Sequence, residues 1–284
     1  MRDVTGDYRG PNINARRLGL YLRRTREIVG LSYEQAAART GRDVEWLVRA
    51  ETGFAPPEPA AVERLLELYE VREARAAELM IDLASRPNGP PWLAGHSLKA
   101  EARDALICES EACVVHTYGL QKVPDLAQAE EYARFIASVR VVQCDVESEW
   151  EMLERRQTFR AGGRRRFLDV IVDEHALTLP VEDPRVMIAQ LDHLLALSES
   201  PDARVRVVPD GAPFYEARAH PFDVLEFPGI SDRISLVHTV LGIGLAPDDL
   251  SDIWTTIEQK SAATPEESRT LLRTLRRTRA TELT

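Results

Sequence analysis

The stretch Leu31 to Gly53, LSYEQAAARTGRDVEWLVRAETG, constrains the fold more than any other part of the chain. Ser32 stands where an N-cap belongs, and Ala36, Ala37 and Ala38 favour a helix from about Ser32 to Arg39. Gly41 can take the positive φ that ends this helix and turns the chain. Asp43 caps a second short helix, with Val44, Leu47, Val48 and Ala50 at its apolar positions and Gly53 as its stop. Two short helices joined through a glycine turn form a helix-turn-helix, whose second helix can lie in the DNA major groove. Helical hairpins that never meet DNA share this pattern, so the flanks matter. An amphipathic helix over Leu18 to Val29, with Leu18, Leu22 and Ile28 apolar, precedes the unit. Another, over Pro59 to Tyr69 with Val62, Leu65, Leu66 and Leu68, follows it.

In this frame the chain resembles the XRE (Cro/repressor-like) family of DNA-binding domains. Arg23, Arg24, Leu31, Ser32, Ala37, Gly41, Leu47, Glu51 and Gly53 occupy the places of that family's pattern. The resemblance implies that double-stranded DNA is read from the second helix. The residues expected at the interface are Tyr33, Arg42, Val44, Glu45 and Arg49. Two departures bear on the chemistry. Tyr33 stands where the family usually has a phosphate-contacting Gln, and Asp43, Val44 and Glu45 open the reading helix where Ser, Arg, Gln or Thr are usual. A carboxylate between two rows of phosphates is repelled. Even so, Glu45 can accept from a cytosine amine, Val44 can touch a thymine methyl and Arg49 can read a guanine.

Charge is distributed accordingly. The whole chain carries a formal −10, which excludes a general polyanion binder, yet residues 1–56 hold ten arginines against seven acids. A weakly basic head of +3 therefore sits on a body of −13. No apolar run approaches the ~18 residues of a membrane span, and no secretory leader pattern opens the chain. A cytoplasmic protein that does not enter a membrane is expected. Cys108, Cys113 and Cys144 are too few and too oddly numbered for a disulfide framework.

Residues 1–14 are polar and rich in turn formers, as in a mobile arm, and residues 15–86 read as five helices ending with Arg72 to Ser85. Arg86 to Trp92, RPNGPPW, breaks helix through its prolines and glycine. It divides an arm plus helix-turn-helix domain, 1–86, from a second domain, 87–284. Helical patterns follow at Leu98 to Val114, Leu126 to Arg140 and Val146 to Arg160, then an Arg-rich turn from Ala161. A strand is expected over Phe167 to Leu177, a helix over Pro184 to Ser198, and strands over Ala203 to Val208, Phe222 to Phe227 and Arg233 to Thr239. One or two helices close the chain from Pro247 to Arg279, with Thr264 to Glu267 as a helix start. The fold class is α+β: an all-α head, then helices with a small sheet.

The second domain resembles the C-terminal domain, antitoxin-like or of unknown function, that actinobacterial XRE regulators carry. The resemblance rests on Glu109-Ser-Glu111-Ala112, Gln128 to Arg134, Arg156-Gln157, Asp173 to Leu177, Met187 to Leu194, Arg204 to Pro209 and Phe222 to Phe227. It implies a transcriptional regulator, often encoded beside a small partner protein.

His175, His220 and His238 are the candidate ligand-binding residues of this domain, since strands of one sheet can bring imidazoles and the neighbouring Asp173 and Glu174 together. Cys108, Cys113 and His116 fall short of a zinc set, because no CxxC pair is present. Gly162-Gly163-Arg164-Arg165-Arg166 reads as a solvated turn, and Gly242-x-Gly244 supports no cofactor. Tyr215, Trp92, Trp150 and Trp254 read as ordinary core rather than pocket lining. No catalytic set, metal or cofactor is assigned. The function expected is a homodimeric, DNA-binding regulator whose second domain senses a small-molecule effector or docks a small partner protein. The alternative is a retired regulator that binds or converts small molecules, with DNA binding lost.

Overall fold

The computed structural model describes residues 13–53, 55–85, 92–93, 96, 98–140, 144–158, 166–213, 218–227, 230–239 and 242–283. Two compact units account for them, Met1–Leu98 and Lys99–Thr284. The break expected at Arg86 to Trp92 lies outside the described residues except for Trp92, as do residues 1–12 of the expected arm, the turn at 161–165 and Tyr215.

Among its described residues the first unit is a bundle of five α-helices: α1 (Ile13–Val29), α2 (Tyr33–Thr40), α3 (Val44–Glu51), α4 (Pro59–Leu68) and α5 (Ala74–Ser85). Helix α1 starts at Ile13 rather than Leu18. Local chemistry sets the other boundaries. Ser32 and Gln35 form a reciprocal capping box at the start of α2, and Gly41 ends that helix at φ 67°, a region costly for any residue with a Cβ. The Asp43 carboxylate accepts the Trp46 N–H at 2.6 Å and starts α3. Leu18, Leu22, Leu47, Val62, Leu65 and Tyr69 close the core between the helices. Ile28, placed among the apolar positions of α1 from sequence, is instead 84% exposed.

The second unit is built on one six-stranded sheet in the order β3-β2-β1-β4-β5-β6. Its strands are β1 (Val114–Gly119), β2 (Phe167–Asp173), β3 (Ala203–Val208), β4 (Phe222–Phe227), β5 (Ile230–Thr239) and β6 (Gly242–Leu245). Helix α6 (Ala100–Glu111) leads into β1, and α7 (Glu130–Ser138) and α8 (Val146–Thr158) cross from β1 to β2. The one-turn helix α9 (Glu174–Thr178) and then α10 (Pro184–Glu199) carry the chain to β3, and α11 (Ser251–Lys260) and α12 (Pro265–Thr281) end it. Strands β1, β2 and β3 are parallel, while β4 pairs antiparallel with β1 and the sheet continues antiparallel through β6.

Strand β1 corrects the sequence reading, which held Leu98 to Val114 as helix and placed no strand after it. The run Val114-Val115-His116-Thr117-Tyr118 is mostly β-branched or aromatic and ends in glycine, a usable strand signal. Its polar His116 and Thr117 hid that signal, because both find partners on neighbouring strands. Strand β2 ends at Asp173 rather than Leu177, and β6 was not foreseen. One sheet face packs Val170, Val172, Val205 and Val207 against α10 and α12 through Met187, Leu191, Leu194 and Leu272. On the other face Tyr118, Ile171, Phe222 and Val224 meet Trp254 and Ile257 of α11. None of the described helices is long and apolar enough to cross a membrane.

Candidate functional site

In the first unit the reading helix is held from behind by one buried pair. Arg26 of α1 donates from Nε to Glu51 Oε1 at 2.9 Å and from a terminal nitrogen to Glu51 Oε2 at 2.9 Å. Its other terminal nitrogen donates to the Leu31 carbonyl at 2.8 Å, the residue that opens the turn before α2. The Tyr69 hydroxyl donates to the same Glu51 carboxylate at 3.2 Å, and burial with that neighbouring charge pushes its pKa up. One fork thus joins α1, the loop before α2, the end of α3 and the end of α4. The Arg26 guanidinium also lies 3.9 Å over the Tyr33 ring, so Tyr33 is a half-buried stacking partner as well as a candidate phosphate contact. Glu51 was legible as a motif residue, but its partner Arg26 was not singled out.

The outward side of α3 presents Val44, Glu45 and Arg49, all exposed. Glu45 and Arg49, one turn apart, approach to 4.0 Å. In solvent such a pair is weak and easily exchanged for another partner. Exposed Arg42 stacks on Trp46 with its guanidinium 4.9 Å from the ring centroid, which holds a cation beside the N-terminus of the helix. Asp43 is occupied by its capping bond. The five residues expected at the interface therefore lie on α2 (Tyr33), on α3 (Val44, Glu45 and Arg49) and in the turn between them (Arg42), with Glu45 the one acid among them.

The second unit has a cavity of about 290 Å³ at the carboxyl end of β1. It lies where the topology changes sense: the chain leaves β1 toward β2 on one side, while β4 begins on the other. Open sheets leave a crevice at such a point. Gly119 makes the turn there possible, because a Cβ on it would stand 2.5 Å from the Lys122 carbonyl oxygen and 2.6 Å from Pro124. The chain folds back over Gly119 and forms one wall of the cavity from Leu120 to Asp125, while Ala219, His220 and Pro221 form another.

The cavity brings together His220 and His238 but not His175, which is exposed on α9 outside the lining. Its neighbours Asp173 and Glu174 bind elsewhere. Asp173 accepts from the Tyr118 hydroxyl at 2.9 Å and from Arg218 at 2.7 Å, and Glu174 accepts the Asp210 N–H at 3.0 Å. His238 is anchored from behind: its Nε2 is 2.7 Å from Asp223 Oδ2, and Asp223 Oδ1 accepts the Thr117 hydroxyl at 2.5 Å. Burial alone would lower the His238 pKa, but the Asp223 charge outweighs it and the imidazole stands above its ordinary value.

Lys122 was missed from sequence. Its Nζ donates to Asp125 Oδ1 at 2.6 Å, and Arg156 donates to Asp125 Oδ2 at 3.2 Å while holding buried Glu109 at 2.8 Å. Burial would raise the Asp125 carboxyl, yet the charges of Lys122, Arg156 and His238 hold it well below the usual range. Several residues that carried the resemblance brace this same loop. Gln157 donates to the Asp125 and Gln128 carbonyls, Gln190 bridges Ala127 and Ala129, and Gln128 donates to the Val123 carbonyl.

A second polar cluster lies on the opposite sheet face. His116 sits between Asp169 at 3.1 Å and Glu226 at 3.2 Å, and fully buried Asp169 also accepts from Arg204 at 3.0 Å and Arg206 at 3.0 Å. Burial would raise the Asp169 pKa, but these donors pull it down to about 2. Every acid there is matched by a base. Cys108 is buried, and Cys113 donates to the Glu226 carbonyl at 3.4 Å. Among the described residues no group of three or more His, Cys, Asp or Glu side chains is placed to hold a metal ion.

Two known families match parts of the chain. Residues 17–79 match the family described as a helix-turn-helix domain, and residues 102–274 match a domain of unknown function, DUF5753. No curated protein and no solved structure matches the chain.

Proposed function

The chain belongs to the DUF5753 family and carries a helix-turn-helix domain, and from that premise we propose a sequence-specific transcriptional regulator controlled by a small effector. The observation that carries the first half is the reading helix itself. Its inner side is locked by the Arg26–Glu51 fork, and Val44, Glu45 and Arg49 are exposed on its outer side, where base edges would meet them. We place the head in the Cro/repressor-like class and expect it to act in the cytoplasm as a homodimer. Two reading helices about one DNA turn apart then engage two half-sites. The effector half rests on the cavity beside β1, whose occupant would shift the population of the DNA-competent dimer.

The test is electrophoretic mobility shift on the DNA upstream of the protein's own gene, at two salt concentrations, with Arg49→Ala alongside. A specific shift that weakens with salt and drops at least tenfold in Arg49→Ala is expected. Absence of any specific shift at low salt overturns the reading.

One observation favours a second reading, a retired regulator that serves as a small-molecule binder. Glu45 neutralises Arg49 on the surface that would meet DNA, while the two histidines of the cavity stand ready for a ligand. Tight small-molecule binding by a chain that never shifts DNA supports this second reading.

A further inference from the structure

The effector reading leaves the chemistry of the occupant open, and the cavity wall narrows it. Its hydrogen-bonding capacity is unbalanced. The acid in the lining, Asp125, is already engaged by Lys122 and Arg156. The other nearby acid, Asp223, does not line the cavity and is spent on His238 and Thr117. Donors, by contrast, remain. An ammonium has three N–H groups, and Lys122 uses one on Asp125. His238 has committed Nε2 to Asp223, which leaves Nδ1 as its remaining polar atom. His220 is exposed and makes no hydrogen bond among the described residues. The backbone N–H groups of Leu120, Gln121 and Lys122 donate to no backbone carbonyl among the described residues. Between these polar groups lie the apolar surfaces of Leu120, Pro124 and Pro221. At about 290 Å³ the cavity stands at the small end of the roughly 300–1,000 Å³ usual for ligand sites.

We propose that this cavity binds a small organic anion, its acidic group held by Lys122, His220 and His238 and its apolar body by Leu120, Pro124 and Pro221. A cation finds no unpaired carboxylate in the lining to bind, and a purely apolar ligand leaves the remaining N–H groups of Lys122 unused. A carboxylate and a phosphate monoester share the required chemistry. The charged groups that face His238 are Asp223 from β4 and Asp125 and Lys122 from the loop after β1, and the titratable His220 lines the same cavity from the approach to β4. An anion entering here adds a further negative charge facing His238, so it strengthens the protonated form of that residue.

The proposal deepens the effector reading, and its test separates the two. Benzoate, phenyl phosphate and the uncharged benzamide are titrated into the full chain, with imidazole resonances recorded for all six histidines. Benzoate or phenyl phosphate is expected to move the His220 and His238 signals saturably while leaving His175 and His96 in place, and benzamide to bind at least tenfold more weakly. Lys122→Met is expected to weaken the anion at least tenfold. His220→Gln, which removes no described contact, is expected to weaken it several-fold without altering the fold. Equal binding of benzamide and the anions, or unchanged affinity in both variants, overturns the proposal. So does the absence of any anion-induced shift at His220 and His238. Mobility shifts run on the same samples report on the other reading: anion binding that leaves DNA affinity unmoved removes the effector role and keeps the site. An intact DNA shift with no anion binding removes the site and keeps the regulator.

Discussion

In the first unit the side chains proposed to meet DNA stand in solvent, and the buried Arg26–Glu51 pair holds the helices behind them. In the second unit the candidate site is a cavity at the end of β1, walled by the loop after that strand and by the approach to β4, and charge runs through the structure as linked pairs. Lys122, Asp125, Arg156 and Glu109 form one chain, and His116, Asp169, Arg204, Arg206 and Glu258 form another. The difference is the one that the two proposed ligands would require. A DNA duplex supplies its own dense charge and needs only an exposed rigid edge. A small ligand must find a prearranged polar wall, and such a wall is stable in a protein interior only when each charge has a partner.

The contrast breaks most sharply at Glu51. Glu51→Gln leaves the Arg26 guanidinium buried without its counter-charge, at a cost of about 3–5 kcal/mol. Hydrogen exchange should then show α1 to α4 opening while the sheet of the second unit keeps its protection. Replacing both partners with apolar residues, Arg26→Met with Glu51→Leu, should restore most of the loss. Equal loosening of both units would show that the lock is not local.

Acid sharpens the comparison from the other side. Asp169, with an ordinary pKa of 3.8, is held at about 2 in the folded unit, so its contribution is complete above 3.8 and is lost as pH falls through 2. That contribution is about 2 kcal/mol. In urea unfolding of the second unit, the stability gap between wild type and Asp169→Asn should therefore be widest above pH 4 and shrink toward pH 2. A gap that does not depend on pH would refute the linkage.

The smallest effect belongs to the exposed pair on α3. Glu45→Gln removes a carboxylate that phosphates would repel, so DNA affinity at low salt should rise roughly two- to fivefold, opposite in sign to Arg49→Ala. A fall in affinity would instead identify Glu45 as a base-reading acceptor.

Legibility in the sequence follows the same divide. The head could be read because its instructions are local: Ser32 caps with Gln35, Gly41 turns the chain, and Asp43 caps with Trp46. What escaped was the Arg26–Glu51 pairing, which spans 25 residues and leaves no periodic trace. In the second unit the helices α8, α10 and α12 and the strands β3 and β4 announced themselves through period and caps. Strand β1 did not, since its polar residues make sense only beside Asp169 and Asp223, far along the chain. His220 and His238 were visible as residues, but their meeting with Lys122 depends on the sheet order. His175, beside two acids in sequence, looked equally suitable, yet the early end of β2 at Asp173 set it on a separate helix.

Strand β1 carries one more consequence, in time rather than in space. It occupies an interior place in the sheet, between β2 and β4, yet its partner Glu226 is made 112 residues after Val114. At roughly 5–20 residues per second, a ribosome needs on the order of 5–20 s to deliver that neighbour. The helical head, whose helix α5 ends at Ser85, emerges long before then. Each new chain therefore passes through a stage in which a complete DNA-reading head is tethered to an unfinished sheet. Strand β1 waits through that stage with one edge unpaired.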